Sequence, residues 1–176
     1  MAKASRSRLH EDVVANLARV RRFAYALCGA PHAADDLVQT TAMRTLANPP
    51  PAGADVSRWM LRVCRNLWID ELRAKRVRGA EIEADSEFSE RSFDGEADVT
   101  ARIDVARVNA AMNRLSEEQR AVIALVALEG CSYKEAAAIL DLPIGTVMSR
   151  LSRARAAIAA ALGEETAKVV PMRKTP

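Results

Sequence analysis

Residues 81–104 carry nine acidic and two basic side chains, a net charge of −7, and residues 79–98 show no sustained helical periodicity. A stretch this polar buries too little apolar surface to offset the entropy of ordering it, so it is expected to be a flexible linker. It divides the 176-residue chain into two small pieces, with net charges of +7 over residues 1–80 and +3 over 105–176. Pieces of this size hold only a few elements each. Aromatic residues make up only 4 % of the chain and glycines number seven, which argues against a sandwich or barrel. The expectation is an all-α protein: two small helical modules joined by an acidic flexible linker, the second ending in a helix-turn-helix. The boundaries are 10–77 for the first module, 78–104 for the linker, 105–162 for the second module and 163–176 for a flexible tail.

Apolar residues recur at helical spacing in both pieces. In the first, Val13, Val14, Leu17, Val20 and Ala24 mark one helix, with Gly29 suited to its C-terminal cap and Pro31 opening the next. Leu37, Val38, Thr41 and Leu46 face inward on the second helix, which the run from Asn48 to Gly53 must end. Asp55 or Ser57 can cap a third helix over about Arg58 to Arg76. Its expected apolar stripe is Trp59, Met60, Val63, Leu67 and Leu72, which leaves Trp68 as the more exposed ring. In the second piece, Ser116 with Gln119 and Ser132 with Glu135 are capping-box patterns. Asp141-Leu142-Pro143 breaks the chain before a long helix that Gly163 is expected to close.

Three constellations carry chemistry. The short capped helix, tight turn and longer helix from Ser132 to Arg155 form a helix-turn-helix. On the longer helix Val147, Leu151 and Ala154 face inward. Thr146, Ser149, Arg150, Arg153 and, to one side, Arg155 face outward, where they suit base edges and phosphates in a major groove. The third helix carries a basic face of Arg62, Arg65, Asn66, Arg73, Lys75 and Arg76 beside two tryptophans, which suits single-stranded nucleic acid. Asn66 either reads an unpaired base edge or is simply solvated. Asp35 and Asp36 stand near a helix start with Gln39 beside them. They either complement the helix dipole or dock on a basic protein surface.

Catalytic chemistry finds little support. His10-Glu11 lacks the second histidine of a zinc-protease helix, Gly29-Ala30-Pro31 is no phosphate loop, and no base lies near Cys131 in sequence. Three scattered cysteines make neither a disulfide framework nor a zinc site, so no metal, no cofactor and a reducing cytoplasm are expected. No apolar run approaches the roughly 18 residues of a membrane span, and no signal-peptide core follows the basic start, so no membrane insertion is expected.

Three strings together resemble the bacterial sigma factors. Ala34-Asp35-Asp36-Leu37-Val38-Gln39 is similar to their core-binding helix. The run from Trp59 to Asp70 with Arg73 is similar to their promoter-melting helix. Gly130 to Arg155, through Pro143-Ile144-Gly145-Thr146-Val147, is similar to their final helix-turn-helix. With only two modules, covering about 10–77 and 105–162, the chain resembles the small extracytoplasmic-function (ECF) group. The resemblance implies an alternative sigma factor that directs RNA polymerase core enzyme to promoters and assists melting, and not an enzyme. It implies core-polymerase binding through Asp35, Asp36, Gln39 and Thr40. It implies minus-ten binding through Arg62, Arg65, Asn66, Arg73 and Arg76, and minus-thirty-five binding through Thr146, Ser149, Arg150, Arg153 and Arg155. It also implies promoter DNA and an anti-sigma factor as partners. Met148 departs from the family, where a basic residue is frequent and would add a phosphate contact. From the sequence, a stand-alone helix-turn-helix regulator and a sigma-like decoy for an anti-sigma partner stay open as alternatives.

Overall fold

The computed structural model describes residues 2–78 and 106–169, and these are helical with short connections. In chain order they form α1 (Ala2–Cys28), α2 (Pro31–Ala47), α3 (Val56–Val77), α4 (106–113), α5 (Glu117–Ile123), α6 (Tyr133–Leu140) and α7 (Ile144–Val169). A single π turn, Ala124–Leu128, extends α5. No strand occurs among the described residues. The expected linker lies almost wholly outside them, as does the tail beyond residue 169.

Local chemistry sets the breaks. Gly29 takes φ +75° after α1 and donates its N–H to the Tyr25 carbonyl at 2.8 Å, the left-handed cap that glycine accepts without a Cβ penalty. Pro31 then occupies the first turn of α2. Asp55 caps α3 by accepting the Arg58 N–H. Both expected capping boxes form, Ser116 with Gln119 and Ser132 with Glu135. Asp141 ends α6 in the left-handed region at φ 56°, closing the tight turn into α7.

Helices α1–α3 pack around Val20, Phe23, Leu27, Leu37, Met60, Leu61, Cys64 and Trp68. Two fully buried hydroxyls, Thr41 and Thr45, donate to carbonyls one turn earlier and so stay satisfied. Helices α5–α7 pack around Val122, Leu125, Ala136, Ile139, Val147, Leu151 and Ala154. The two groups also meet, and their buried residues join into one cluster. Asn109 of α4 and Arg120 of α5 donate to carbonyls at the C-terminal end of α1, Gly29 at 3.2 Å and Leu27 at 2.9 Å. A Cβ on Gly29 would lie 2.7 Å from Asn113 Oδ1, so that contact requires glycine.

Four expectations need correction. Trp68 is buried and Trp59 half-buried, the reverse of the expected order, because α3 turns Leu61, Cys64 and Trp68 toward α1 and α2. Stacking of Trp68 on a base is therefore excluded in this arrangement. Val14 is exposed rather than inward. The first helix begins at Ala2, ahead of the boundary at residue 10. Gly163 does not stop α7, which runs on to Val169. One glycine costs a helix only about 1 kcal/mol, which the alanine-rich turns before it can offset.

Candidate nucleic-acid interface

α7 buries the inward stripe that the sequence predicts. Val147, Leu151 and Ala154 are buried. Ser149, Arg153 and Arg155 are exposed, while Thr146 and Arg150 are half-buried on the flank nearer α3. The Pro143 carbonyl accepts the Thr146 and Val147 N–H groups and starts the helix cleanly. Arg153 Nε donates to the Ser149 carbonyl at 3.3 Å, which holds the side chain along the helix. Arg150, Arg153 and Arg155 make no ion pair with any described carboxylate, and no acidic residue occurs from Leu142 to Gly163. The result is an uncompensated cationic helix face.

The basic face of α3 is different. Arg73 pairs with Asp70 at 3.6 Å and Lys75 with Glu71 at 3.0 Å, both within the helix. Arg58 pairs with Glu135 at 2.5 Å, Arg62 lies 4.0 Å from Asp141, and Arg76 pairs with Glu117. These last three acids belong to the second group of helices. All three pairs are solvent-accessible and individually modest. Asn66 is exposed and accepts from Arg65 Nη1 at 3.1 Å. Burial, then the positive charges of Arg73 and Arg150, push the Arg65 pKa down. Like charges from the two cationic helices thus crowd each other, while opposite charges at the rim hold the groups together. Sequence reasoning missed Glu117, Glu135 and Asp141 as partners of α3, because their local roles in caps and turn explain them fully.

On α2, Asp36, Gln39, Thr40 and Met43 form one exposed stripe at helical spacing. Thr40 spends its hydroxyl proton on the Asp36 carbonyl. Asp35 stands aside, held by Arg21 through two hydrogen bonds of 2.6 and 3.2 Å. The structure therefore separates the four expected docking residues into three that share an open face and one held in an ion pair. Met43, 64 % exposed, was missed, although its i+3 and i+4 spacing from Thr40 and Gln39 was there to be read.

Glu129, also missed, ties the two groups of helices together. Its side chain is wholly buried, with Oε2 accepting Arg19 Nε at 3.0 Å and lying 3.4 Å from Arg22 Nη2. Arg19 also donates to the Glu129 carbonyl and to Ser57 Oγ. A cleft of about 580 Å³ lies between the two groups, lined by residues including His32, Trp68, Lys75 and Arg120. Burial pushes the Cys28 and Cys64 thiols up to about 12, which leaves them protonated and poorly nucleophilic at neutral pH. No described helix is long and apolar enough to cross a membrane.

A three-helix unit with a basic helix, followed by a unit ending in a helix-turn-helix with an unpaired basic face, fits a nucleic-acid-binding regulator. Residues 13–78 match the Sigma-70 region 2 family and residues 106–158 the Sigma-70 region 4 family. The chain is 36 % identical over 157 residues to the ECF RNA polymerase sigma factor EcfG of Rhodopseudomonas palustris, covering 88 % of this chain and 84 % of that protein. It is 33 % identical over 129 residues to the ECF sigma factor SigC of Mycobacterium tuberculosis, covering 72 % and 69 %. The solved structure of the sigma factor RpoE with the anti-sigma factor NepR from Bartonella quintana aligns with a TM-score of 0.72 at 30 % identity, over 87 % of this chain and 95 % of that one. The structure of CnrH with the cytosolic domain of CnrY aligns at 0.65 and 27 % identity, over 90 % of each. The chain belongs to the ECF group of RNA polymerase sigma factors. It is a regulatory DNA-binding protein that works with RNA polymerase core enzyme at promoters.

Proposed function

We propose that this alternative sigma factor divides its work among three helices. α2 docks on core polymerase through Asp35, Asp36, Gln39 and Thr40, with Met43 extending the same face. α3 holds the unpaired minus-ten strand through Arg62, Arg65, Asn66, Arg73 and Arg76. α7 enters the major groove of the minus-thirty-five element, where Thr146, Ser149, Arg150, Arg153 and Arg155 meet bases and phosphates. The observation that carries this reading is the unpaired cationic face of a helix-turn-helix on the same chain as a second cationic helix.

Both elements cannot be held in the packed arrangement. Elements centred about 25 base pairs apart lie roughly 85 Å apart along the duplex. A compact chain of this length has a radius of gyration of only about 16 Å. The 27 residues 79–105 can extend to about 90 Å, enough for the modules 10–77 and 105–162 to part and bind together with gain in avidity. Parting also frees Arg58, Arg62 and Arg76 from Glu135, Asp141 and Glu117. An anti-sigma factor, the kind of partner bound in the RpoE structure, controls the protein by restricting this separation, in the cytoplasm where polymerase works. Melting costs about 1.4 kcal/mol per stacked step, and polymerase shares that cost.

Run-off transcription with bacterial core enzyme on a promoter library tests the proposal. Initiation at a defined set of promoters supports it. Initiation at none of them, with anti-sigma binding intact, indicates a decoy. Tight specific duplex binding without polymerase indicates a stand-alone regulator.

A further inference from the structure

Ile144 and Met148 stand one turn apart at the start of α7 and are 46 % and 52 % exposed. On a helix their side chains project about 40° apart, with Arg155 between them two turns later. They lie on the side opposite Thr146 and Arg150, between the buried Leu151 and the exposed Ser152. Two large apolar side chains in water need an apolar partner, and the charge around them restricts which partner that is. Arg155, on the same flank, pairs with no described carboxylate, and no acidic residue occurs from Leu142 to Gly163. This surface suits a polyanion that also carries apolar groups.

In the major groove the apolar group a base edge offers is the C5-methyl of thymine. We propose that Ile144 and Met148 read thymine methyl groups in the minus-thirty-five element and thereby set part of its sequence preference. The inference rests on the reading of α7 as the minus-thirty-five helix. It gives Met148 a base-reading role in place of the missing phosphate contact. An unbranched thioether with three rotatable bonds adapts its reach to a methyl group. Arg155 on the same flank suits the adjoining phosphate.

The test uses the full chain with core polymerase. A duplex library randomised upstream of a fixed minus-ten region is first selected for holoenzyme binding. Each thymine of the selected upstream element is then replaced by deoxyuridine, which removes the methyl and keeps every hydrogen bond. Burial of one methyl corresponds to about a fourfold change in affinity. The wild-type holoenzyme should lose about fourfold at one or two thymines. Met148→Ala or Ile144→Ala should bind the thymine and uridine duplexes equally at those positions. No uridine-sensitive position in the wild type, or undiminished sensitivity in both variants, overturns the proposal while leaving the minus-thirty-five reading intact. A selection that yields no upstream element overturns both. Met148→Lys gives an independent check: uniformly tighter, more salt-dependent binding with uridine sensitivity retained places the side chain at a phosphate and refutes base reading.

Discussion

Replacing Glu129 by alanine should release the second group of helices from the first. The carboxylate is fully enclosed and accepts Arg19 at 3.0 Å, and Arg19 in turn reaches Ser57 on α3 and the Glu129 carbonyl. Breaking a buried ion pair by removing one partner costs about 3–5 kcal/mol. Arg19 keeps 31 % of its side chain in solvent, so water recovers part of that, and about 2 kcal/mol is the reasonable figure for this pair. A loss of that size lowers the ratio of docked to separated chains about 30-fold. Small-angle scattering of the free protein reads the change, because docked chains sit near a radius of gyration of about 16 Å and separated ones lie well above it. Glu129 touches neither cationic helix face, so the variant's holoenzyme should bind promoters at least as well as the wild type. An unchanged radius together with an unchanged unfolding midpoint would refute the claim that this pair holds the packed arrangement.

Other outcomes follow from the same geometry. Arg150→Ala should weaken holoenzyme binding by about 1–3 kcal/mol and relax preference at one base position; an equal loss on all sequences in competition assays would assign it to a phosphate. Asp36→Arg should abolish pull-down of core polymerase with the circular dichroism spectrum unchanged, since Asp36 is exposed. Gly29→Ala should destabilise by about 1–2 kcal/mol in urea titration, from its positive φ, and loosen the contact with Asn113. Glu135 is held below its ordinary value of 4.5 by the Ser132 N–H and hydroxyl and then by Arg58. Its contribution is therefore complete above pH 4.5 and is lost as pH falls through the lower folded value. Thermal melts from pH 6 to 3 should show this loss, and Glu135→Gln, which can still cap α6, should flatten it.

The sequence revealed local structure more faithfully than long-range contacts. Both capping boxes and the buried trio Val147, Leu151 and Ala154 depend on residues within one or two turns of each other and formed as read, and of the two caps the sequence offered α3, Asp55 and Ser57, Asp55 is the one that forms. The phase of α3 was harder to read because two neighbouring stripes are both apolar. Trp59, Val63 and Leu67 compete with Leu61, Cys64 and Trp68, and packing against α1 and α2 chose the second. The pairs Arg19–Glu129, Arg58–Glu135 and Arg76–Glu117 join residues 41 to 110 positions apart and leave no periodic trace. For the candidate site, α7 was legible because its inward residues are apolar and its outward ones mostly polar, Ile144 and Met148 excepted. On α2, helical spacing gave the exposed stripe but could not show that Arg21 holds Asp35.

The widened turn at Ala124–Leu128 gives spacing a consequence that side-chain chemistry alone does not have. There the Glu129 N–H bonds to the Ala124 carbonyl, five residues back rather than four. That extra residue turns everything after it by about 100° relative to a regular helix. With this offset Glu129 aims at α1. Deleting one residue from the turn would restore ordinary winding and swing the carboxylate off target, and because Ala124 and Leu125 of the turn are buried it would also shift the packing of the second group. In a lineage of such proteins, single-residue insertions and deletions at this point would therefore change how the two halves are held against each other.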